Sequence, residues 1–129
     1  MALNVLVVDD SAVMRKMIIR ALELSSLPVG QVFEAGSGAA GLASALDHPI
    51  DLALLDINMP EMDGLTLLSE LRKHPKTSAL PVVVVSTEGS EQRIELIRES
   101  RAGFVRKPFT PELLVSAVVS AVGGGDDGE

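Results

Sequence analysis

Two adjacent carboxylates, Asp9 and Asp10, close the apolar run 5–8. A third acid, Asp56, closes the apolar run 52–55 and is followed by Ile57 and Asn58. Ser86 and Thr87 end a run of four valines, and Lys107 stands just past a fourth short run, ahead of Pro108. Two carboxylates about 4 Å apart repel by on the order of 4 kcal/mol at an effective dielectric near 20. Three crowded together need a cation or must hold protons. Every ligand in this pattern is an oxygen, with no His or Cys among them, and oxygen-only ligation with room for water suits Mg²⁺. A lysine added to such a site is a mobile point charge suited to phosphoryl oxygens. The chemistry this set supports is phosphoryl transfer: a carboxylate attacks in line while a dication and Lys107 neutralise the equatorial oxygens. The Ser86 hydroxyl can then bond a phosphoryl group carried on Asp56. Taken singly, each residue has a plainer use. Asp10 or Ser11 could cap a helix, Asp63-Gly64 could be a turn, and a lysine before proline is usually on the surface. The functional reading rests on their joint placement.

That placement requires elements that bring distant residues to one edge. Strand-like runs at 3–9, 31–35, 50–56, 81–86 and 102–106 alternate with helical patterns at 12–25, 38–47, 64–74, 90–100 and from Thr110-Pro111 to about 122. Three of the strands are near-continuous aliphatic runs, the mark of strands buried on both faces of a parallel sheet. The alternation predicts an α/β, doubly wound fold with helices on both faces. In such a sheet, ligand sites collect at the carboxyl ends of the strands, which is where all the residues above fall. In the first helix, Met14, Met17, Ile18, Ala21 and Ser25 form the expected core stripe, with Ile19 on the polar side. The small-residue stretch 38–47 can approach the sheet closely. The last helix carries two apolar stripes, Leu114/Val118/Ala121 and Val115/Val119/Val122, of which only one can face the sheet well.

The totals narrow the classes. At 129 residues the chain is one domain of ordinary size, expected to be 1–122 with a disordered, acidic, Gly-rich tail at 123–129. It has no cysteine, which excludes disulfides and thiolate chemistry. A net charge of −7 argues against a nucleic-acid partner bound through a broad basic face. No apolar run approaches the ~20 residues of a membrane span, and no signal peptide is evident, so the expectation is a cytoplasmic protein without a membrane partner.

The stretches "VLVVDDS", "DLALLDINMPEMDGL", "LPVVVVST" and "VRKPFTPELL" resemble the receiver domain of two-component response regulators, most closely the stand-alone CheY-like kind. The resemblance covers residues 3–122. It implies the flavodoxin-like (βα)5 fold with a five-stranded parallel sheet in the order 2-1-3-4-5. It implies Asp56 as phosphoacceptor, and Mg²⁺ held by Asp9, Asp10, Asp56 and the backbone carbonyl of Asn58. Lys107 would contact the phosphoryl group. Ser86 would be the switch hydroxyl with Thr87 as the other candidate, and Phe104 the aromatic that responds to it. Asn58 and Glu88 match the positions that tune loss of phosphate, and the Lys107–Pro108 bond is expected to be cis. The implied protein is a signalling phosphoacceptor rather than a metabolic enzyme. Its implied donor is a histidine kinase or histidine phosphotransfer protein, and its implied output is protein binding through the fourth helix, fifth strand and last helix, in a chemotaxis-like pathway, as a monomer. The stretch from Ser86 to Phe104 is one residue shorter than the family's usual spacing, and "ESRA" replaces a helix-ending "AGA", leaving open the fourth helix's length and register.

Two other functions compete. A pseudo-receiver would keep the shape and bind partners without phosphorylation. A Mg²⁺-dependent aspartyl-phosphate hydrolase of the haloacid-dehalogenase type also uses a strand-end Asp, but it carries a second Asp two residues on, where this chain has Asn58. His48 and His74, beside prolines near element ends, are expected at the surface, and Met14 and Met17 in or near the core.

Overall fold

The computed structural model describes residues 2–87 and 89–123. Glu88, a candidate tuning residue, and residues 124–129 of the expected tail lie outside the described residues, while Gly123, expected to begin that tail, is the last residue of the final helix. The chain runs β1 (Leu3–Val8), α1 (Ala12–Glu23), β2 (Val29–Ala35), α2 (Gly38–Asp47), β3 (Leu52–Leu55), α3 (Gly64–Lys73), β4 (Val82–Ser86), α4 (Glu91–Glu99), β5 (Gly103–Arg106) and α5 (Pro111–Gly123). All strand pairs are parallel, in the order β2-β1-β3-β4-β5. This is the expected flavodoxin-like (βα)5 architecture.

The aliphatic runs became the three interior strands because only there are both faces of a strand covered. Side chains alternate across the sheet. Leu6, Val8, Ala53, Leu55, Val82 and Val84 pack with Ala45, Leu67, Leu68, Leu71 and Ile97 of α2, α3 and α4. Val5, Val7, Leu52, Leu54, Val83 and Val85 pack with Ile18, Ala21, Leu22, Leu114 and Val118 of α1 and α5. Gly41 lets α2 close on the sheet, since a Cβ there would come within 2.8 Å of a Val8 methyl.

Several details differ from the sequence-based expectation. In α1 the buried residues are Ile18, Ala21 and Leu22, while Met17 is 52% exposed. Ile19 is half-buried against the core rather than on a polar face. The stripe is rotated toward Leu22, which removes Met17 from the core. His48 is half-buried as well, stacked on Phe33 with ring centroids 4.3 Å apart. In α5 the Leu114/Val118 stripe faces the sheet, and Val119 is exposed.

The end of α4 is closed without glycine. Ser100 is the C-cap, and Arg101 follows with φ 63°. The Arg101 N–H donates to the Arg98 carbonyl at 2.8 Å, and the Ala102 N–H to the Ile97 carbonyl at 3.2 Å. These are the two bonds of a Schellman motif, with an arginine in the left-handed position usually given to glycine. Ile97 and Ala102 are both buried in the same cluster, which supplies the motif's apolar contact. The helix therefore ends cleanly despite the altered sequence.

Candidate functional site

Each candidate side chain is placed by a strand end. The Asp9 N–H donates to the Ala35 carbonyl at 3.1 Å, and the Asp56 N–H to the Val8 carbonyl at 2.9 Å, so both acids are fixed by the last rungs of the ladder. The Lys107 N–H donates to the Ser86 carbonyl at 2.9 Å, tying the lysine to the hydroxyl strand. The Lys107–Pro108 peptide is cis, as expected. Gly64 opens α3 directly under the site. A Cβ there would run into the Asp56 carbonyl oxygen and lie 2.7 Å from the Ile57 Cα. Asp63 caps the same helix by accepting from the Thr66 N–H at 2.9 Å. That bond, ahead of the Arg93 guanidinium 3.5 Å away, holds the Asp63 carboxyl below the usual carboxylate range despite some burial.

The three acids converge. Asp9, Asp10 and Asp56 each offer a carboxylate oxygen within 4.8 Å of the others. Asp9 and Asp56 are buried, whereas Asp10 is exposed. The Lys107 ammonium sits 3.0 Å from Asp9 Oδ2 and 3.6 Å from Asp56 Oδ1. Burial pushes the Asp56 carboxyl up, and the Asp9 charge adds to that. Lys107, the Asn58 backbone N–H and the Ser86 hydroxyl pull it back down. One ammonium among three hard oxygen donors leaves an excess of negative charge, and the donors are close enough to share one small dication. The residues present therefore fit Mg²⁺.

Ser86 is fully buried and Thr87 exposed. The Asn58 side-chain amide reaches both, at 3.5 Å from Ser86 Oγ and 3.4 Å from Thr87 Oγ1. Phe104 is half-buried on β5, opposite Val84, with the Arg106 guanidinium 5.8 Å from its ring centroid. Asp9, Asp10, Asp56, Asn58, Ser86, Thr87 and Lys107 thus gather at one edge, and Phe104 lies along the next strand.

Two contacts to Asp9 escaped the sequence-based reading. Ser11 donates its N–H to Asp9 Oδ1 at 2.9 Å. Arg15 donates to the Asp9 carbonyl at 2.6 Å while its Nε pairs with Glu34 at 2.8 Å, and so braces the acidic turn from α1. Of the two cap candidates, Asp10 and Ser11, the structure uses Ser11, whose Oγ accepts from the Met14 N–H at 3.1 Å, whereas the reach of Arg15 depends on β2 lying beside β1.

Strand-end carboxylates, a buried hydroxyl and a lysine meet at one edge of a (βα)5 sheet, an arrangement whose donors suit a hard dication and phosphoryl oxygens. The response regulator receiver domain family matches residues 5–119. The chain is 36% identical to the chemotaxis protein CheY1 of Helicobacter pylori over 129 residues, covering 96% of this chain and 100% of that one. It is 34% identical to the chemotaxis protein CheY of Bacillus subtilis over 119 residues, covering 92% and 96%. Among solved structures, chemotaxis protein CheY4 of Vibrio cholerae superposes with a TM-score of 0.83 at 29% identity, covering 94% and 99%. The receiver domain of the putative response regulator NarL from Mycobacterium tuberculosis gives 0.82 at 34% identity, covering 95% and 98%. The chain belongs to the response regulator receiver domain family. Members of that family are signalling phosphoacceptors rather than metabolic enzymes, and they bind Mg²⁺ at an acidic pocket. Among the described residues, no helix is long and apolar enough to cross a membrane.

Proposed function

We propose that Asp56 is the phosphoacceptor of a signalling switch that takes its phosphoryl group from a phosphohistidine and signals by binding another protein. The carrying observation is the buried Asp56 carboxylate between Asp9 and Lys107, with Ser86 in hydrogen-bond contact. In transfer, an Asp56 carboxylate oxygen attacks phosphorus in line. A P–O bond forms, the P–N bond to the donor imidazole breaks, and the imidazole leaves with that electron pair and takes up a proton. In loss of signal, water attacks phosphorus, the acyl P–O bond breaks, and the Asp56 carboxylate is regenerated as inorganic phosphate departs. Asp9, Asp10, Asp56 and the Asn58 carbonyl would hold Mg²⁺, which supplies positive charge for the phosphoryl oxygens. The Lys107 ammonium donates to a phosphoryl oxygen on Asp56 after loosening its pair with Asp9. The Ser86 hydroxyl turns from the carboxylate to the phosphoryl group, and Phe104 repacks along β5 in response. Asn58, exposed beside the site, and Glu88 tune access of the hydrolytic water.

A histidine kinase or histidine phosphotransfer protein is the donor. The output face is α4, β5 and α5, supported by the exposure of Leu96, Leu113 and Val119 there. The pathway is chemotaxis-like, by similarity to relatives named for chemotaxis. The receiver unit spans 1–122 and works in the cytoplasm as a monomer.

The test is incubation with Mg²⁺ and acetyl phosphate. Wild type gains the mass of one phosphoryl group, the adduct is released by hydroxylamine, and Asp56→Asn stays unmodified. An unmodified wild type would leave the pseudo-receiver standing, and multiple turnover of a simple phosphate ester would favour the hydrolase.

A further inference from the structure

The face formed by α4 and β5 carries a groove of about 830 Å³ lined by Ile94 and Leu96, with Glu91, Glu95, Glu99, Arg98 and Arg106 around it. Leu96 is 51% exposed, a large apolar side chain left at the surface of a helix whose other apolar residues, Ile94 and Ile97, are half-buried and buried. The charges around it are unequal in what they have to do. Arg98 pairs with Glu95 at 3.3 Å, and the Arg106 guanidinium stands over the Phe104 ring. Glu91 and Glu99 have no cationic partner among the described residues. Glu91 suits the first turn of α4. Glu99 does not suit its place: it is the last residue of the helix, where the macrodipole favours a cation and disfavours an acid. With no cation paired to it among the described residues, the exposed Glu99 carboxylate leaves uncompensated negative charge at this end of the groove.

We propose that this groove docks a basic, amphipathic segment of a partner protein, with an apolar side chain seated against Leu96 and Ile94 and a Lys or Arg at each end facing Glu91 and Glu99. The proposal rests on the α4-β5-α5 output face argued above and specifies the chemistry of what it binds. Eight residues of helix separate the two acids, about 12 Å along the axis. The partner's cations must match that span, which is about two turns of a helix or about four residues of an extended strand. The net charge of −7 steers such a partner toward the chain, while an acidic segment would meet like charge at both ends of the groove.

The probe is a synthetic helical peptide with a Leu-Trp core and lysines eight residues apart, compared with its twin bearing glutamates at those two positions. The chain has no Trp or Tyr, so peptide Trp fluorescence reports binding directly. The expected result is tighter binding of the lysine peptide by about tenfold, weakening as salt rises. The double variant Glu91→Gln/Glu99→Gln should bind it about fivefold more weakly. The charge-matched control Glu23→Gln/Asp47→Asn, on α1 and α2, should bind as wild type does. Equal affinity for the two peptides, or equal losses in the two double variants, would overturn the proposal. Acetyl phosphate labelling of the same samples separates the two ideas. Normal labelling without peptide discrimination removes the basic partner and leaves Asp56 as acceptor, while failed labelling with discrimination intact removes the phosphoacceptor and leaves the groove.

Discussion

Replacing Asp56 by asparagine should make the metal-free protein more stable. An Asp56 oxygen lies within 4.8 Å of oxygens on Asp9 and Asp10. At an effective dielectric of about 20, each such pair repels by about 3.5 kcal/mol, less for the exposed Asp10. Lys107 at 3.6 Å opposes this by about 4.6 kcal/mol on the same scale. These nearly cancel, so the cost of burying the charge decides the sign, in keeping with burial as the largest cause of the raised Asp56 carboxyl. Part of that cost is recovered by the Asn58 N–H and the Ser86 hydroxyl, which an asparagine oxygen can still engage. The remainder is about 1–2 kcal/mol, or about 3–8 °C in Tm for a chain of this size. The pH dependence has a definite sign. An acid whose folded pKa is raised contributes stability that is complete below its unfolded value and is lost as pH rises through the folded value. Wild type therefore falls behind Asp56→Asn as pH rises, and the gap closes on acidification toward the ordinary Asp value of 3.8. The assay is thermal unfolding of both proteins in chelator from neutral to acid pH, repeated with Mg²⁺. The ion should raise the Tm of wild type more than that of the variant. An Asp56→Asn protein no more stable than wild type at neutral pH in chelator, or a gap that does not shrink with acid, would refute the reasoning.

Other perturbations test the scaffold that aims the site. Arg101→Gly relieves a non-glycine residue at φ 63° and should stabilise by about 0.5–1 kcal/mol in urea unfolding, with phosphorylation unchanged. Gly64→Ala drives a methyl into the Asp56 backbone and should cost more than about 2 kcal/mol while slowing acetyl phosphate labelling. Arg72→Ala removes a guanidinium that donates to the carbonyls of Leu80 at 2.7 Å and Ser100 at 2.9 Å; leaving those carbonyls unmet should cost about 2–3 kcal/mol by denaturant titration.

What the sequence disclosed and what it hid follow from the range of the forces involved. The runs 5–8, 52–55 and 82–85 were legible as interior strands because burial on both faces leaves its mark on every residue of a strand. The acids, the hydroxyl and the lysine were legible as neighbours because each lies at or just past its strand's end, and a parallel sheet puts all those ends on one edge. Arg72 was not legible. Its worth comes from carbonyls at the start of β4 and the end of α4, which meet only in three dimensions, and burial lowers its pKa without the neighbouring carboxylate that would have marked the position. The misplaced Met17 has a similar origin, since both sides of a broad apolar stripe look alike until the neighbouring α5 fixes which side is covered.

The end of α4 is the most instructive case. The lost glycine suggested a helix of altered length or register, because glycine is the residue that normally takes the left-handed position without cost. The structure keeps the geometry and changes the residue. What fixes the helix end is the burial of Ile97 and Ala102 on either side of Arg101, together with the two carbonyls that must find donors. Those demands outweigh the roughly 1–2 kcal/mol of placing an arginine in a left-handed conformation. With the helix end held, β5 keeps its register against β4, pairing Phe104 with Val84 and Arg106 with Ser86. Ser86 is thus tied to Arg106 by strand pairing and to Lys107 by its carbonyl, and the Arg106 guanidinium lies both against the Phe104 ring and along the α4-β5 groove. The shortened stretch therefore leaves an unbroken chain of contacts from the acidic pocket through β5 to the α4-β5 groove, which is the path the proposed switch requires.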